Sequence, residues 1–182
     1  MGNPFQGRQA RLTGNQSQLK SVKYILSKPD KYGIVYSEFS EWLGEKGGKQ
    51  REPTTEYIFN RLGDGSIKYL KDLFSTTYDF ETKINKEGKK YQKPLRAGFD
   101  IICIPNKMIP DFFKPTGHQS SSEYTPSYLI QVKTNYNVKN IDNQLYMQAL
   151  KEIKVPPYFK KELHIWYTKD SSNIPDILNL DY

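Results

Sequence analysis

Three polar residues interrupt apolar runs in the middle of the chain. Asp100 stands directly before the apolar run 101–104, and Gln131 and Lys133 lie two residues apart within 128–134. Side chains alternate along a β-strand, so Gln131 and Lys133 point to the same face. A carboxylate beside an apolar run is costly unless it is paired, hydrogen-bonded or bound to a metal. If the two strands pair, a carboxylate, an amide and an ammonium converge on one patch, although each alone is typical of a turn or surface position.

The elements that must position these residues follow from the hydrophobic pattern. The pattern predicts a helix from Thr54, a β-hairpin over 75–84 and from Tyr91 onward, strands over 98–105 and 128–134, a helix over 142–153 and a strand over 163–167. We interpret this as a core of order αβββαβ. Because the helix between the last two strands is a crossover, these strands should be parallel neighbours. The predicted fold class is α/β (α+β), with a mixed central sheet flanked by helices.

Residues 1–53 are predicted to form a basic arm and an N-terminal helical extension. We expect a mobile arm over 1–15, an amphipathic helix over 16–28, a short helix over 38–43 capped by Ser37 and a flexible basic loop over 44–51. Together with the helix from Thr54, this outline also resembles a helix-turn-helix. It keeps open a non-catalytic helix-turn-helix or winged-helix DNA-binding protein, with 75–93 as the β-wing.

The order of the polar residues resembles the PD-(D/E)xK (restriction-endonuclease-like) nuclease superfamily, in its Mrr-type Asp…Gln-x-Lys variant. Asp100 matches the first acid, Gln131 the acid-or-glutamine position and Lys133 the lysine. The resemblance begins at about residue 54 and implies that 54–182 forms the nuclease core. Since Gln131 is neutral, metal binding should be weaker than at a site with two acids.

The resemblance implies metal-assisted hydrolysis of phosphodiester bonds. Mg²⁺ or Mn²⁺ would be held by Asp100, the side-chain oxygen of Gln131, the backbone carbonyl of Val132 and a further acid, for which Glu56 is the first candidate. The alternatives for that acid are Asp72 and, on the hairpin, Asp79 and Glu81. Lys133 would orient the attacking water or stabilise the charge that develops on the phosphate. A homodimer is expected, since cutting both strands of a duplex needs two active sites.

The charge balance suits a nucleic-acid partner. The 27 Lys and Arg residues outnumber the 20 Asp and Glu residues, which gives a net charge of +7, and 14% of the residues are aromatic. Basic side chains release counterions from phosphates, and aromatic rings stack on bases. The residues predicted to contact the DNA backbone are Arg8, Arg11, Lys20, Lys23, Lys46, Lys49, Arg51 and Arg96. The alternative is a lysine-coated surface whose charge is incidental.

The composition also excludes several classes of function. One cysteine and two histidines argue against a zinc finger or another four-ligand structural zinc site, and the chain has no glycine-rich phosphate loop for a nucleotide cofactor. Neither a membrane-spanning apolar run nor a signal-peptide pattern occurs, so we expect a soluble cytoplasmic (intracellular) protein. Cys103 is expected to be a buried thiol, His164 a packed strand residue and His118 an exposed loop residue.

These observations favour a Mg²⁺-dependent endodeoxyribonuclease of the restriction, homing or junction-resolving type. The hypothesis depends on one geometric condition, namely that Asp100 and Lys133 lie close together and on the same side of the sheet. A non-catalytic DNA-binding protein with the same fold is a further alternative, in which the neutral Gln131 marks a decayed site.

Overall fold

The computed structural model of the chain describes residues 4–32, 34–37, 74–104, 126–155 and 159–181. In chain order, the elements are α1 (Pro4–Leu26), α2 (Pro29–Tyr32), β1 (Ile34–Ser37), β2 (Ser75–Ile84), β3 (Lys90–Gly98), β4 (Ile101–Ile104), β5 (Ser127–Thr134), α3 (Ile141–Glu152), β6 (Phe159–Trp166) and β7 (Asp176–Asn179). Of the helices in these ranges, none is both long enough and apolar enough to cross a membrane.

Within the described residues, five strands form a central mixed sheet in the order β1-β4-β5-β6-β7. β4 is antiparallel to both β1 and β5, β5 is parallel to β6, and β7 is antiparallel to β6. The parallel pairing predicted across the crossover helix is therefore confirmed for β5 and β6, which α3 connects. The predicted combination of helices with a mixed sheet is confirmed as well.

The central sheet buries an apolar cluster on each of its faces. Leu129 of β5 belongs to the cluster that contains Leu150 of α3, whereas Ile130 belongs to the cluster that contains Ile25 of α1. All four side chains are fully buried, and each such burial stabilises the fold by about 1.5–3 kcal/mol. We call the two sides the α3 face and the α1 face. Because side chains alternate, odd-numbered residues of β5 and β6 point to the α3 face and even-numbered residues to the α1 face.

β2 and β3 form a two-stranded sheet of their own. The predicted hairpin is confirmed, and its pairing extends to Ile84 and Lys90 with one irregularity between Thr77 and Asp79. Its base is anchored by Ala97, which is buried in the cluster of the α3 face. The order αβββαβ predicted from residue 54 onward included these two strands in the central sheet. The central sheet contains β1 and neither of the hairpin strands. The far part of the hairpin is exposed on both faces, so it cannot serve as an interior strand.

The N-terminal segment differs from its prediction. The expected mobile arm is wrong for residues 4–15, because α1 begins at Pro4; glycines weaken a helix without ending it. Ser37 is the last residue of β1, since it follows a β-branched and aromatic run that favours a strand. α1 packs on the α1 face and β1 pairs with β4, so both belong to the layers of the central sheet.

β7 was not predicted. Outside the described residues lie the predictions for 38–43, 44–51, the helix from Thr54 and the loop that contains His118.

Candidate active site

Asp100 lies where β4 begins, beside the carboxyl-terminal half of β5. Its backbone N–H donates to the carbonyl oxygen of Ile130 at 3.0 Å, and the next residue, Ile101, pairs with Ile130 in the strand register. Ile101 is fully buried, which fixes the start of β4 against β5. The structure therefore brings Asp100 next to Gln131 across the strand pair, as the sequence predicts.

Lys133 brings a positive charge to the same corner of the sheet. Its Nζ atom lies 4.0 Å from the centroid of the Tyr146 ring. Burial lowers the pKa of Lys133, and the negative charge of Asp100 opposes that change. The pKa of Tyr146 is raised, first by burial and then by the charge of Asp100. Asp100, Lys133 and Tyr146 thus share one electrostatic environment on the α3 face, so the geometric condition for Asp100 and Lys133 is met.

Gln131 is buried, and its amide contacts a backbone carbonyl. The Nε2 atom of Gln131 donates to the carbonyl oxygen of Val132 at 3.1 Å. These two groups carry the oxygens that the resemblance assigns to a metal. Rotation of a carboxamide by half a turn exchanges its nitrogen and oxygen, so the Gln131 oxygen can take the place beside the Val132 carbonyl.

The further acid expected at a metal is not found among the described residues. Glu56 and Asp72 lie outside them, Asp79 is exposed, and Glu81 forms ion pairs with two hairpin lysines. Within the described ranges, no three His, Cys, Asp or Glu side chains come close enough to hold a metal ion. The oxygen donors that the structure does describe are the carboxylate of Asp100, one amide and one backbone carbonyl. Hard oxygen donors of this kind suit Mg²⁺.

Tyr146 is the site residue that the sequence analysis missed. Its ring makes edge contacts with Tyr78 (centroids 5.8 Å apart) and Tyr136 (6.4 Å), so three aromatic rings form one wall behind Lys133. Burial raises the pKa of Tyr136 to about 12. The available signal was helical periodicity, because Tyr146 precedes the core residue Leu150 by one helical turn.

The predicted DNA-binding residues are divided between the two faces. Lys20 and Lys23 are exposed on α1, and the Lys20 ammonium lies 5.6 Å from the ring centroid of Trp166. Arg96 lies on the hairpin, where its guanidinium donates to the Ser75 hydroxyl at 2.8 Å. Arg8 and Arg11 belong to the backbone of α1. The remaining three residues, Lys46, Lys49 and Arg51, lie outside the described residues. The described members therefore do not share one face of the sheet.

A second polar cluster is buried on the α1 face. Glu162 accepts hydrogen bonds from Lys31 Nζ and the Tyr32 hydroxyl, both at 2.8 Å, and His164 Nε2 lies 3.1 Å from it. Burial acts to raise the pKa of Glu162, but these partners lower it overall. Burial lowers the pKa of His164. We call these four residues the Glu162 network; it ties α2 to β6. His164 and Cys103 are both fully buried, as predicted.

The candidate active site is defined by its own geometry. A carboxylate, an amide, a backbone carbonyl and a shielded ammonium meet where β4 begins beside β5, and α3 supplies an aromatic wall. Comparison of the chain with protein-family models, curated proteins and solved structures finds no match.

Proposed function

We propose that the protein is a Mg²⁺-dependent DNA endonuclease. The observation that carries the proposal is the meeting of Asp100, Gln131 and Lys133 at one corner of the α3 face. The chain order of the elements gives further support. Among the described elements, with the four-residue helix α2 set aside, α1, β1, β4, β5, α3 and β6 occur in the order αβββαβ, and the β2–β3 hairpin lies between β1 and β4 in the chain. This is the order that the resemblance implies, although it begins further upstream than residue 54.

The donor groups fit Mg²⁺. Asp100 supplies a carboxylate, and the Gln131 amide lies 3.1 Å from the Val132 carbonyl oxygen. Adjacent ligands of an octahedral Mg²⁺ are separated by about 2.9 Å, given metal–oxygen distances of about 2.05 Å. Once the Gln131 carboxamide has rotated by half a turn, the two oxygens need little further movement to share one ion. When bound, the ion would make a water molecule more acidic and offset the negative charge of the scissile phosphate.

Lys133 is the residue that acts on the phosphate. Its ammonium carries three N–H donors, and contact with the face of the Tyr146 ring uses none of them in an N–H···O bond. We propose that it donates to the attacking water or to the phosphate oxygen on which charge develops. Because Lys133 is shielded from solvent, this interaction is stronger than it would be at an exposed lysine. Two such sites in a homodimer would cut both strands.

The test is a cleavage assay with plasmid, linear duplex and branched DNA, with and without Mg²⁺ or Mn²⁺. We expect cleavage that requires the ion and falls by about a hundredfold or more in Lys133→Ala. Lys139→Ala is the matched control, because this exposed lysine lies six residues further along the chain. Cleavage that persists without the ion, or that survives in Lys133→Ala, would overturn the proposal.

One observation favours a second candidate, a DNA-binding protein with this fold and no cleavage. Gln131 is neutral, and in the structure its amide nitrogen, not its oxygen, faces the Val132 carbonyl. This candidate predicts DNA binding that is indifferent to Mg²⁺. It also predicts that cleavage is acquired in Gln131→Glu, which restores a second acid.

A further inference from the structure

The far end of the β2–β3 hairpin is strongly basic. Residues 83–93 are all exposed and contain five lysines and one glutamate, namely Lys83, Lys86, Lys89, Lys90, Lys93 and Glu87. The turn is fixed by Asn85, whose side-chain oxygen accepts N–H bonds from Glu87 at 3.0 Å and Lys89 at 2.8 Å. A rigid ribbon loses little conformational freedom when it binds, and its excess of positive charge attracts a polyanion.

The two faces of the hairpin carry different charges. Residues directly opposite each other in an antiparallel pair point to the same face. On one face Glu81 lies opposite Lys93 and forms ion pairs with Lys93 at 3.5 Å and Lys83 at 3.2 Å, so these lysines are partly neutralised. The opposite face consists of the pairs Phe80–Pro94, Thr82–Gln92 and Ile84–Lys90. We call it the acid-free face, because none of its six residues is an acid.

The acid-free face combines three kinds of group that a nucleic-acid groove accommodates. Lys90 supplies a charge for phosphate. Gln92 donates one N–H of its amide to the Thr82 hydroxyl at 3.1 Å, which holds the amide in the middle of the face. A bidentate contact with adenine needs only the amide oxygen and one N–H. Phe80 and Ile84 are 60% and 65% exposed and offer apolar contact to sugars or thymine methyl groups.

We propose that the acid-free face of the hairpin lies in the major groove of the DNA duplex, with Lys90 on a phosphate and Gln92 directed at base edges. The proposal rests on the proposed function, since it assigns a contact surface to the same substrate. The major groove, about 12 Å wide, admits a two-stranded β-ribbon. The hairpin base contacts the α3 side of the central sheet, which is also the side of the candidate active site.

The charge of the hairpin favours nucleic acid over a protein partner. Exposed Phe80 and Ile84 would also suit a protein interface. Lysine, however, is depleted in such interfaces, whereas five lysines lie within eleven residues here. A polyanion accounts for both the lysines and the absence of acid on this face.

The test compares Lys90→Ala with Lys83→Ala in the full chain. Both remove one exposed hairpin lysine, but Lys83 belongs to the opposite face. Binding to a labelled duplex is measured without divalent ions, as a function of salt concentration. Loss of one phosphate contact lowers the slope of log K against log salt by about 0.9 and weakens binding about eightfold at 0.1 M salt. We expect this change for Lys90→Ala and less than half of it for Lys83→Ala, with unchanged melting temperatures for both.

Equal losses in the two variants, or no loss in Lys90→Ala, would overturn the assignment of the acid-free face. If that happens while the wild type still cleaves and Lys133→Ala does not, the hairpin proposal fails and the proposed function stands. If the wild type neither binds nor cleaves DNA, both fail. A Phe80→Ser variant that binds DNA normally but loses self-association in sedimentation would assign the face to a protein partner and overturn the inference.

Discussion

The Glu162 network on the α1 face and the candidate active site on the α3 face satisfy their buried charges in different ways. Both oxygens of the Glu162 carboxylate accept hydrogen bonds from neighbouring side chains. The Lys133 ammonium instead lies against the face of the Tyr146 ring. A carboxylate closed by several donors stabilises the fold but offers little to a ligand. On the proposed function, an ammonium held by burial and a ring would keep its N–H donors for the substrate, and the two faces would then separate stability from chemistry.

The largest effect is expected from a substitution that breaks the Glu162 network. Glu162→Ala leaves Lys31, Tyr32 and His164 without their common acceptor. Removing one member of a buried ion pair costs about 3–5 kcal/mol; we expect about 3 kcal/mol here, because the Lys31 side chain is 43% exposed. Urea denaturation measures this loss in the free energy of unfolding. Cleavage by the folded fraction should be unchanged, since the network lies on the face away from the candidate active site.

The control for this prediction is Glu87→Ala in the exposed hairpin turn, which should change the free energy of unfolding by less than about 0.5 kcal/mol. If Glu162→Ala is no more destabilising than Glu87→Ala, the Glu162 network does not stabilise the fold. If Glu162→Ala lowers cleavage without lowering stability, the division of roles between the two faces is wrong.

A smaller effect is expected when the ring behind Lys133 is removed. Tyr146→Leu keeps an apolar side chain but loses the attraction between the ring and the ammonium, which is about 1 kcal/mol for a partly desolvated pair. The pKa of Lys133 should fall further, because the ring favours the charged form. Cleavage should fall about fivefold at neutral pH. NMR titration of the lysine Cε signals and a cleavage rate measure the two changes.

Tyr146→Phe is the matched variant, since it keeps the ring and removes the hydroxyl. It should leave the pKa of Lys133 near the wild-type value and retain most of the cleavage rate. If the Leu and Phe variants behave alike, the ring does not position Lys133, and the contrast with the hydrogen-bonded Glu162 network disappears.

The parts of the fold that could be predicted are those set by local pattern and chain connectivity. The apolar run of β5, the helical period of α3 and the handedness of a crossover are enough to predict a parallel β5–β6 pair. The hairpin follows from alternation and the turn at 85–89. β1 could not be predicted, because its four residues are too short to show a period and Ser37 also matches a helix cap. The choice of β1 over β2 for the central sheet depends on long-range burial.

The candidate site likewise contains one part that the sequence predicts and one part that it does not. Gln131 and Lys133 share a face because side chains alternate along β5. Their predicted partner Asp100 stands at the start of the neighbouring strand β4. Tyr146 reaches Lys133 only through the packing of α3, which no local pattern specifies. The Glu162 network joins residues about 130 positions apart in the chain, so the sequence gives no sign that Lys31 and Glu162 meet.

The Glu162 network is also expected to respond to acid. His164 is fully buried, its ring lies 5.9 Å from that of Tyr24 and 6.3 Å from that of Tyr32, and burial lowers its pKa although Glu162 opposes this. The unfolded chain therefore takes up a proton at His164 before the folded protein does. The contribution of His164 to the free energy of unfolding is therefore complete above about pH 6.5. It declines as the pH falls below that value, by at most about 1.4 kcal/mol per pH unit. The pKa of Glu162 is also lowered, so its own contribution is lost below about pH 4.5.

His164→Gln separates the two contributions, because glutamine can still donate to Glu162 but does not titrate. Between pH 6.5 and 5 the free energy of unfolding should fall less steeply in this variant than in the wild type, while the decline below pH 4.5 should remain. His118→Gln removes the other histidine of the chain and serves as the control. If His164→Gln keeps the wild-type slope, His164 is not the residue whose protonation destabilises the fold. If it also abolishes the decline below pH 4.5, the hydrogen bonds to Glu162 depend on the imidazole itself, and the network is closed by His164 as much as by Lys31 and Tyr32.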